Sequence, residues 1–321
     1  MTVTPAPLPA ATAADADTLA VTKGHGTQND FVLLDDRDGA LDLAPVLVRR
    51  LCDRRAGVGG DGVIRLVASE LVPDAPDDAR GTAWFMDYRN GDGSVAQMCG
   101  NGVRVFARYA QHLGLWDPED GPLEVGTRAG VRTVVATAPE VGDGPWFTVG
   151  MGVVTLVGGD DALASGGDAE VHVGGLAVTR PGLSVDVGNP HTVVVLAQEG
   201  DLEQADLTSA PVVRPVPADG TNVELVVPLG EEHAADGTAV GRVRMRVHER
   251  GVGETRSCGT GAVAAAAAVR AWGGPQAPAV WLVDVPGGTV RVTLHPDGRA
   301  DLAGPAVLVA EARVDLAALP A

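Results

Sequence analysis

Lysine is almost missing from this 321-residue chain: Lys23 stands alone, and arginine supplies the rest of the 24 basic residues. A pyridoxal phosphate enzyme needs a Schiff-base lysine. Only Lys23 could serve, so that reading is weak and no cofactor is expected. Aromatic residues are 3% of the chain, which leaves Val, Leu and Ala to build the cores. Cysteine is limited to Cys52, Cys99 and Cys258. So low and odd a number excludes a secreted disulfide framework. With no C-x-x-C and no clustered Cys and His, no metal is expected either. The longest apolar stretch, Gly261 to Trp272, is too short to span a bilayer. A basic excess is absent as well. The net charge of −18 argues against nucleic acid or an anionic membrane as partner. Residues 1–20 lack the basic start and apolar core of a signal peptide and read as a disordered extension. These absences point to a cytoplasmic chain with a small-molecule substrate; self-association as a homodimer is left open.

What is present is a repeat. Met98-Cys99-Gly100-Asn101-Gly102-Val103 and Ser257-Cys258-Gly259-Thr260-Gly261-Ala262 each set a cysteine at a C-G-x-G turn before an apolar, helix-compatible run. A thiol at a helix start is a candidate reactive thiol, because unpaired N–H groups and the helix dipole favour the thiolate. The same N–H groups, at Gly100, Asn101, Gly259 and Thr260, form an anion site. Singly, each cysteine reads as a buried structural one. As a repeated pair, Cys99 and Cys258 read as two half-sites facing one substrate. One sulfur takes a proton from a carbon while the other gives one to the opposite face. Cys52 lies in a helical pattern without that context and reads as core.

The surroundings repeat too. Thr82 to Tyr88 is an expected strand, followed by the Asn90-Gly91-Asp92-Gly93 turn and a helix from Val103 to about Leu113. Gly241 to Val247 is an alternating strand with Val243, Met245 and Val247 on one face. The turn His248 to Glu254 follows, and Cys258 opens a second helix, whose apolar run Gly261 to Arg270 marks it as buried. Leu41 to Cys52 reads as a helix, residues 68–82 as a surface loop, and Pro286-Gly287-Gly288 as a hairpin turn rather than a phosphate loop. The twofold grammar implies an internal duplication. Many short strands between few helices imply α+β domains. Asn29, Asn90, Asn189 and Asn222 lie in expected loops, where asparagine is common for local backbone reasons. On the residues alone, His191 reads equally as a turn residue, and Glu249 with Arg250 as a surface ion pair.

Six ordered segments resemble the diaminopimelate epimerase family. They are His25-Gly26-Thr27-Gln28-Asn29-Asp30-Phe31, Tyr88 to Ser94, Gln97 to Gly102, Gly188-Asn189-Pro190-His191, Thr221-Asn222-Val223-Glu224 and Glu249 to Gly261. The resemblance implies two similar pseudo-symmetric domains, each a β-sheet wrapped around a central helix, with the active site in the cleft between them. The expected division is 21–145, with 303–321 returning to it, and 146–302. It implies cofactor-independent epimerisation of LL-diaminopimelate to the meso form by Cys99 and Cys258. His191 and Glu249 would assist them by setting thiol protonation. Asn29, Asn90, Asn189, Asn222, Glu249 and Arg250, with the two cysteine turns, would bind substrate. Asp61 and Glu254 are structural candidates. The family often has Gln where this chain has Gly62, which puts the contacts at that edge in doubt. A racemase or epimerase of the same architecture, acting on proline, hydroxyproline or another amino acid, is the runner-up. A dithiol redox protein and a non-catalytic binding protein are the competing classes.

Overall fold

The computed structural model describes residues 18–319. They form two compact units, one running up to Val149 and including the residues from Pro305 on, the other Gly150–Gly304. Residues 1–17 of the expected N-terminal extension lie outside the described residues. Its last three do not behave as an extension, because the first strand begins at Thr18. Val21, Thr22, Gly24 and Gly26 of that strand are buried, and pairing on both sides holds it in place.

The first unit is a mixed sheet. Its C-terminal strand Val307–Asp315 pairs with Thr18–Gly26, which pairs antiparallel with Asn29–Asp35. The order continues through Gly62–Ala68 (parallel), Trp84–Asn90 (antiparallel), Leu123–Thr127 (parallel), Gly130–Thr137 and Trp146–Val153 (both antiparallel). The second unit repeats this sequence of pairings. Arg180–Asp186 pairs antiparallel with Pro190–Val195, then come Asn222–His233 (parallel), Ala239–Glu249 (antiparallel), Val280–Val285 (parallel), Gly288–Leu294 and Arg299–Pro305 (both antiparallel). Two units with the same seven-strand pairing order are the structural form of the duplication.

Each sheet packs on one long helix. Gly100–His112 lies against strands of the first unit and Gly259–Gly273 against strands of the second. The second helix is nearly all Ala and Val, and small side chains let strands approach it closely. Nine of its residues are buried, from Gly259 to Val269. Alternation is clear in Ala239–Glu249: Val243, Met245 and Val247 are buried, while Arg242, Arg244 and Arg246 point away to Asp284, Glu199 and Glu254.

Several expected boundaries move. The helix expected over Leu41–Cys52 starts at Pro45. Proline is compatible with the first turn only, so it fixes the start. The chain over 68–82 is not purely loop, since it holds the end of a strand and two short 3₁₀ turns, Ser69–Leu71 and Ala79–Gly81. The expected strand Thr82 to Tyr88 is Trp84–Asn90. His248 and Glu249 belong to a strand, and Gly253–Thr255 pairs back on it. The turn between them is therefore only Arg250 to Val252.

Candidate active site

The Trp84–Asn90 strand delivers the chain through a glycine-rich turn to Cys99. The sulfur sits at the N-cap of Gly100–His112, with extended backbone (φ −141°, ψ 118°), and accepts the Gly102 N–H at 3.4 Å. A capping side chain satisfies one of the helix's orphan donors. Here that side chain is the thiol, so the positive end of the dipole acts on the sulfur directly. Asn29 Oδ1 stands 3.5 Å from Sγ and 3.3 Å from the Asn101 amide nitrogen that donates to it. The Asn29 amide is fixed from behind. Its Nδ2 donates to Asp61 at 2.7 Å, and Arg54 donates to the other Asp61 oxygen at 2.6 Å. A two-residue hairpin turn, Thr27-Gln28, precedes Asn29, with φ of 50° and 63°. Both residues take a left-handed conformation usually filled by Asn or Gly.

The second turn copies the first. Cys258 is the N-cap of Gly259–Gly273 (φ −121°, ψ 116°) and accepts the Gly261 N–H at 3.4 Å. Thr260 Oγ1 lies 3.5 Å from the sulfur, and Asn189 Nδ2 donates to that hydroxyl at 3.4 Å. His191 is buried with both ring nitrogens engaged, Nδ1 at 2.7 Å from Glu224 Oε1 and Nε2 at 3.0 Å from Asn189 Oδ1. Burial pushes the Cys258 thiol well up, and the charges of Glu249 and Glu224 push it further. Cys52 is also pushed up, to about 12, by burial. It makes no such cap and belongs to a core with Val48, Leu51 and Val63.

The remaining candidates divide. Around Cys99 the structure gathers Gly100, Asn101, Asn29 and, through Asn29, Asp61. Around Cys258 it gathers Gly259, Thr260, Asn189 and His191, with Glu249 close enough to act on the thiol by charge. Asn90 closes its own turn by donating to Ser94 Oγ at 3.0 Å. Asn222 is buried, and its amide already bridges two backbones: Nδ2 donates to Pro190 O at 3.1 Å and Oδ1 accepts the Arg250 N–H at 2.9 Å. Arg250 is exposed, and its guanidinium donates to the Asp219 carbonyl. Glu254 pairs with Arg246 at 2.7 Å. Lys23 is engaged too, at 2.5 Å from Asp30. Burial alone would raise the Asp30 carboxyl, but hydrogen bonds and charge from Arg54 and Lys23 hold it well below the usual carboxylate range.

At Gly62 the strand itself is closely packed. A Cβ there would stand 2.4 Å from the Arg89 carbonyl oxygen and 2.6 Å from the Tyr88 ring. No larger residue fits this backbone, so the glycine marks a close approach of strands.

Beside the two cysteine turns, two buried charged residues escaped the sequence reading. Arg104, in the apolar run Val103-Arg104-Val105-Phe106, is fully buried one turn below Cys99; it donates to Gly100 O at 3.3 Å and Asn101 Oδ1 at 2.8 Å. Glu224 is equally buried under the second turn. The available signal was a lone charge inside an apolar run.

Comparison with known proteins decides the family. The diaminopimelate epimerase family pattern matches residues 21–157 and 183–309. This chain belongs to the diaminopimelate epimerase family. The diaminopimelate epimerase of Streptomyces coelicolor is 51% identical over 308 residues, covering 93% of this chain and 96% of the relative. That of Thermobifida fusca is 47% identical, covering 92% and 98%. Similar solved structures include a PhzF-family phenazine biosynthesis protein of Bacillus anthracis (TM-score 0.64, 18% identity, 92% and 99% covered). Another is a hydroxyproline epimerase of Agrobacterium vitis (TM-score 0.54, 15% identity, 94% and 92% covered). These two share the fold. The family's α+β architecture is therefore the one described above, with few helices and mixed sheets.

Proposed function

We propose that this chain epimerises LL-diaminopimelate to the meso form, without cofactor, using Cys99 and Cys258 as a proton-transfer pair. It is an isomerase, an amino-acid epimerase. The observation that carries the reading is the duplicated cap: two cysteines, each at the start of a long helix, each accepting the N–H three residues on, in a chain about half identical to a named diaminopimelate epimerase.

The chemistry follows from the arrangement. A thiolate takes the α-hydrogen as a proton, and the C–H electron pair stays on the carbon, delocalised into the α-carboxylate. The opposite thiol gives its proton to the other face and becomes the thiolate. N–H groups of Gly100, Asn101, Gly259 and Thr260 hold the carboxylate whose charge grows in the transition state. Asn29, Asn90, Asn189 and Arg250 bind the polar groups of the substrate. Asn222 contributes by holding the Arg250 backbone, and His191 and Glu249 tune the second thiol. The net charge of −18 supports a small-molecule substrate over nucleic acid or an anionic membrane; whether the chain forms a homodimer is a matter for sedimentation. The substrate test is a panel without pyridoxal phosphate: LL-diaminopimelate, L-proline and trans-4-hydroxy-L-proline. Conversion of the first alone supports the reading; turnover of an imino acid instead replaces it with the racemase of the same architecture.

A further inference from the structure

The strand registers align the two halves residue by residue. Phe31 pairs with Gly62 and Leu33 with Ile64 in the first unit; His191 pairs with Asn222 and Val193 with Glu224 in the second. Ile64 and Glu224 are thus equivalent positions. Their neighbours agree: a Cβ on Gly102 would meet Ile64 and Cys99, and a Cβ on Gly261 would meet Glu224 and Cys258. Counting from the cysteines, Arg104 is equivalent to Val263. All four residues are fully buried. One fold position therefore carries a cation beside Cys99 and an alkyl group beside Cys258; another carries an alkyl group beside Cys99 and a carboxylate beside Cys258.

Neither buried charge is fully matched. Arg104 has no carboxylate partner among the described residues, and its Nε has no hydrogen-bond partner. Burial pushes its guanidinium down to about 10, still charged at neutral pH, and Cys99 is the one ionisable group whose charge supports it. Glu224 has His191 on Oε1, but Oε2 is buried with no partner. Buried, incompletely satisfied charges are costly, and a stable core would replace them. Their cost is explained if each acts on a sulfur.

We propose that Arg104 and Glu224 are positioning residues that set which thiol holds the proton at rest: Arg104 keeps Cys99 as the thiolate, and Glu224 keeps Cys258 as the thiol. The groups facing each sulfur fit this division. Cys99 has the Gly102 N–H and the Arg104 charge, which favour the thiolate, set against the Asn29 oxygen 3.5 Å away, to which its thiol form donates. Cys258 has the Gly261 N–H and the Thr260 hydroxyl, but also Glu224, held at Oε1 by His191, and Glu249.

This inference rests on the cysteine pair proposed above, yet its test does not need turnover, so the two fail separately. The reduced full-length chain is alkylated with iodoacetamide across pH 5–11, and Cys99 and Cys258 peptides are followed separately by mass spectrometry. The pH midpoint is read, not the rate, because the two sulfurs differ in exposure. The wild-type midpoint of Cys99 is expected below that of Cys258. Arg104→Met should raise the Cys99 midpoint by about one unit or more, within the usual range for loss of an opposite charge, and leave Cys258 unmoved. Arg104→Lys should restore it. Glu224→Gln should lower the Cys258 midpoint alone. A wild-type order in which Cys258 titrates first overturns the proposal, as does an Arg104→Met chain with an unmoved Cys99 midpoint. If Arg104→Met does not fold, the wild-type order and Glu224→Gln decide.

Discussion

The two cysteine turns have the same backbone and opposite surroundings. Both place the sulfur at a helix N-cap, and both use glycine three residues on, where a Cβ would crowd Ile64 in the first turn and clash with Glu224 in the second. Beneath the first turn lie Phe31 and Ile64, with Arg104 in the helix; beneath the second lie His191 and Glu224, with Val263. In the proposed reaction, the duplicated fold supplies what both steps share: a thiol on a dipole and a row of N–H donors. Under the proposal above, the differences at three buried positions supply what the two steps do not share, because a base and an acid need different protonation states.

The strongest way to break this comparison is to remove either sulfur. Cys99→Ala and Cys258→Ala should each lower kcat by at least about 10³-fold, as expected for loss of a positioned acid or base, with unchanged circular dichroism. Substantial activity in either variant would show that the turns are not a working pair. A second test bears on how the first turn is held. Asp61→Ala releases the Asn29 amide beside Cys99 and should cost about 10–100-fold in kcat/KM, because small misplacements in a site are expensive. A wild-type value would assign Asp61 to the Arg54 ion pair alone.

Much of this was legible in the sequence because the signals are local. The C-G-x-G turns, the Asn-Gly and Asp-Gly pairs and the alternating Val243-Met245-Val247 run each report their own conformation. The places of Glu224 and Arg104 beside the sulfurs were not legible, although each shows as a lone charge in an apolar run. What makes them matter is which residue lies across the sheet, and Val193 and Cys258 become neighbours of Glu224 only when distant strands and a helix pack. The close approach at Gly62 was hidden for the same reason. From the sequence this position shows a missing side chain, and the Arg89 carbonyl of the next strand comes close only in the fold. Gly62→Gln should therefore destabilise the chain by about 1–3 kcal/mol, the usual cost of overpacking, read as a lower thermal midpoint; an unchanged midpoint would show that the strands give way.

The smallest effect concerns the third thiol, the one outside the repeat. Folding raises the Cys52 pKa from 9.0 to about 12. Its contribution to stability is complete below pH 9 and declines as pH rises through 9 towards 12, because the unfolded thiol ionises first. The stability gap between wild type and Cys52→Ala should shrink over that window by up to about 1.4 kcal/mol per pH unit. Chemical denaturation at pH 8 and pH 10 measures it, and a constant gap would mean that Cys52 ionises freely in the folded chain.

The central claim, that one sulfur takes the α-proton while the other delivers a different proton to the opposite face, is tested most directly by isotope. The reduced chain is incubated with LL-diaminopimelate in deuterated water without pyridoxal phosphate, and NMR follows configuration and α-deuterium at early times. The account predicts meso product carrying solvent deuterium at the inverted carbon, while recovered LL substrate stays unlabelled. Meso product that retains the original hydrogen, or no conversion with the thiols shown to be reduced, would contradict it.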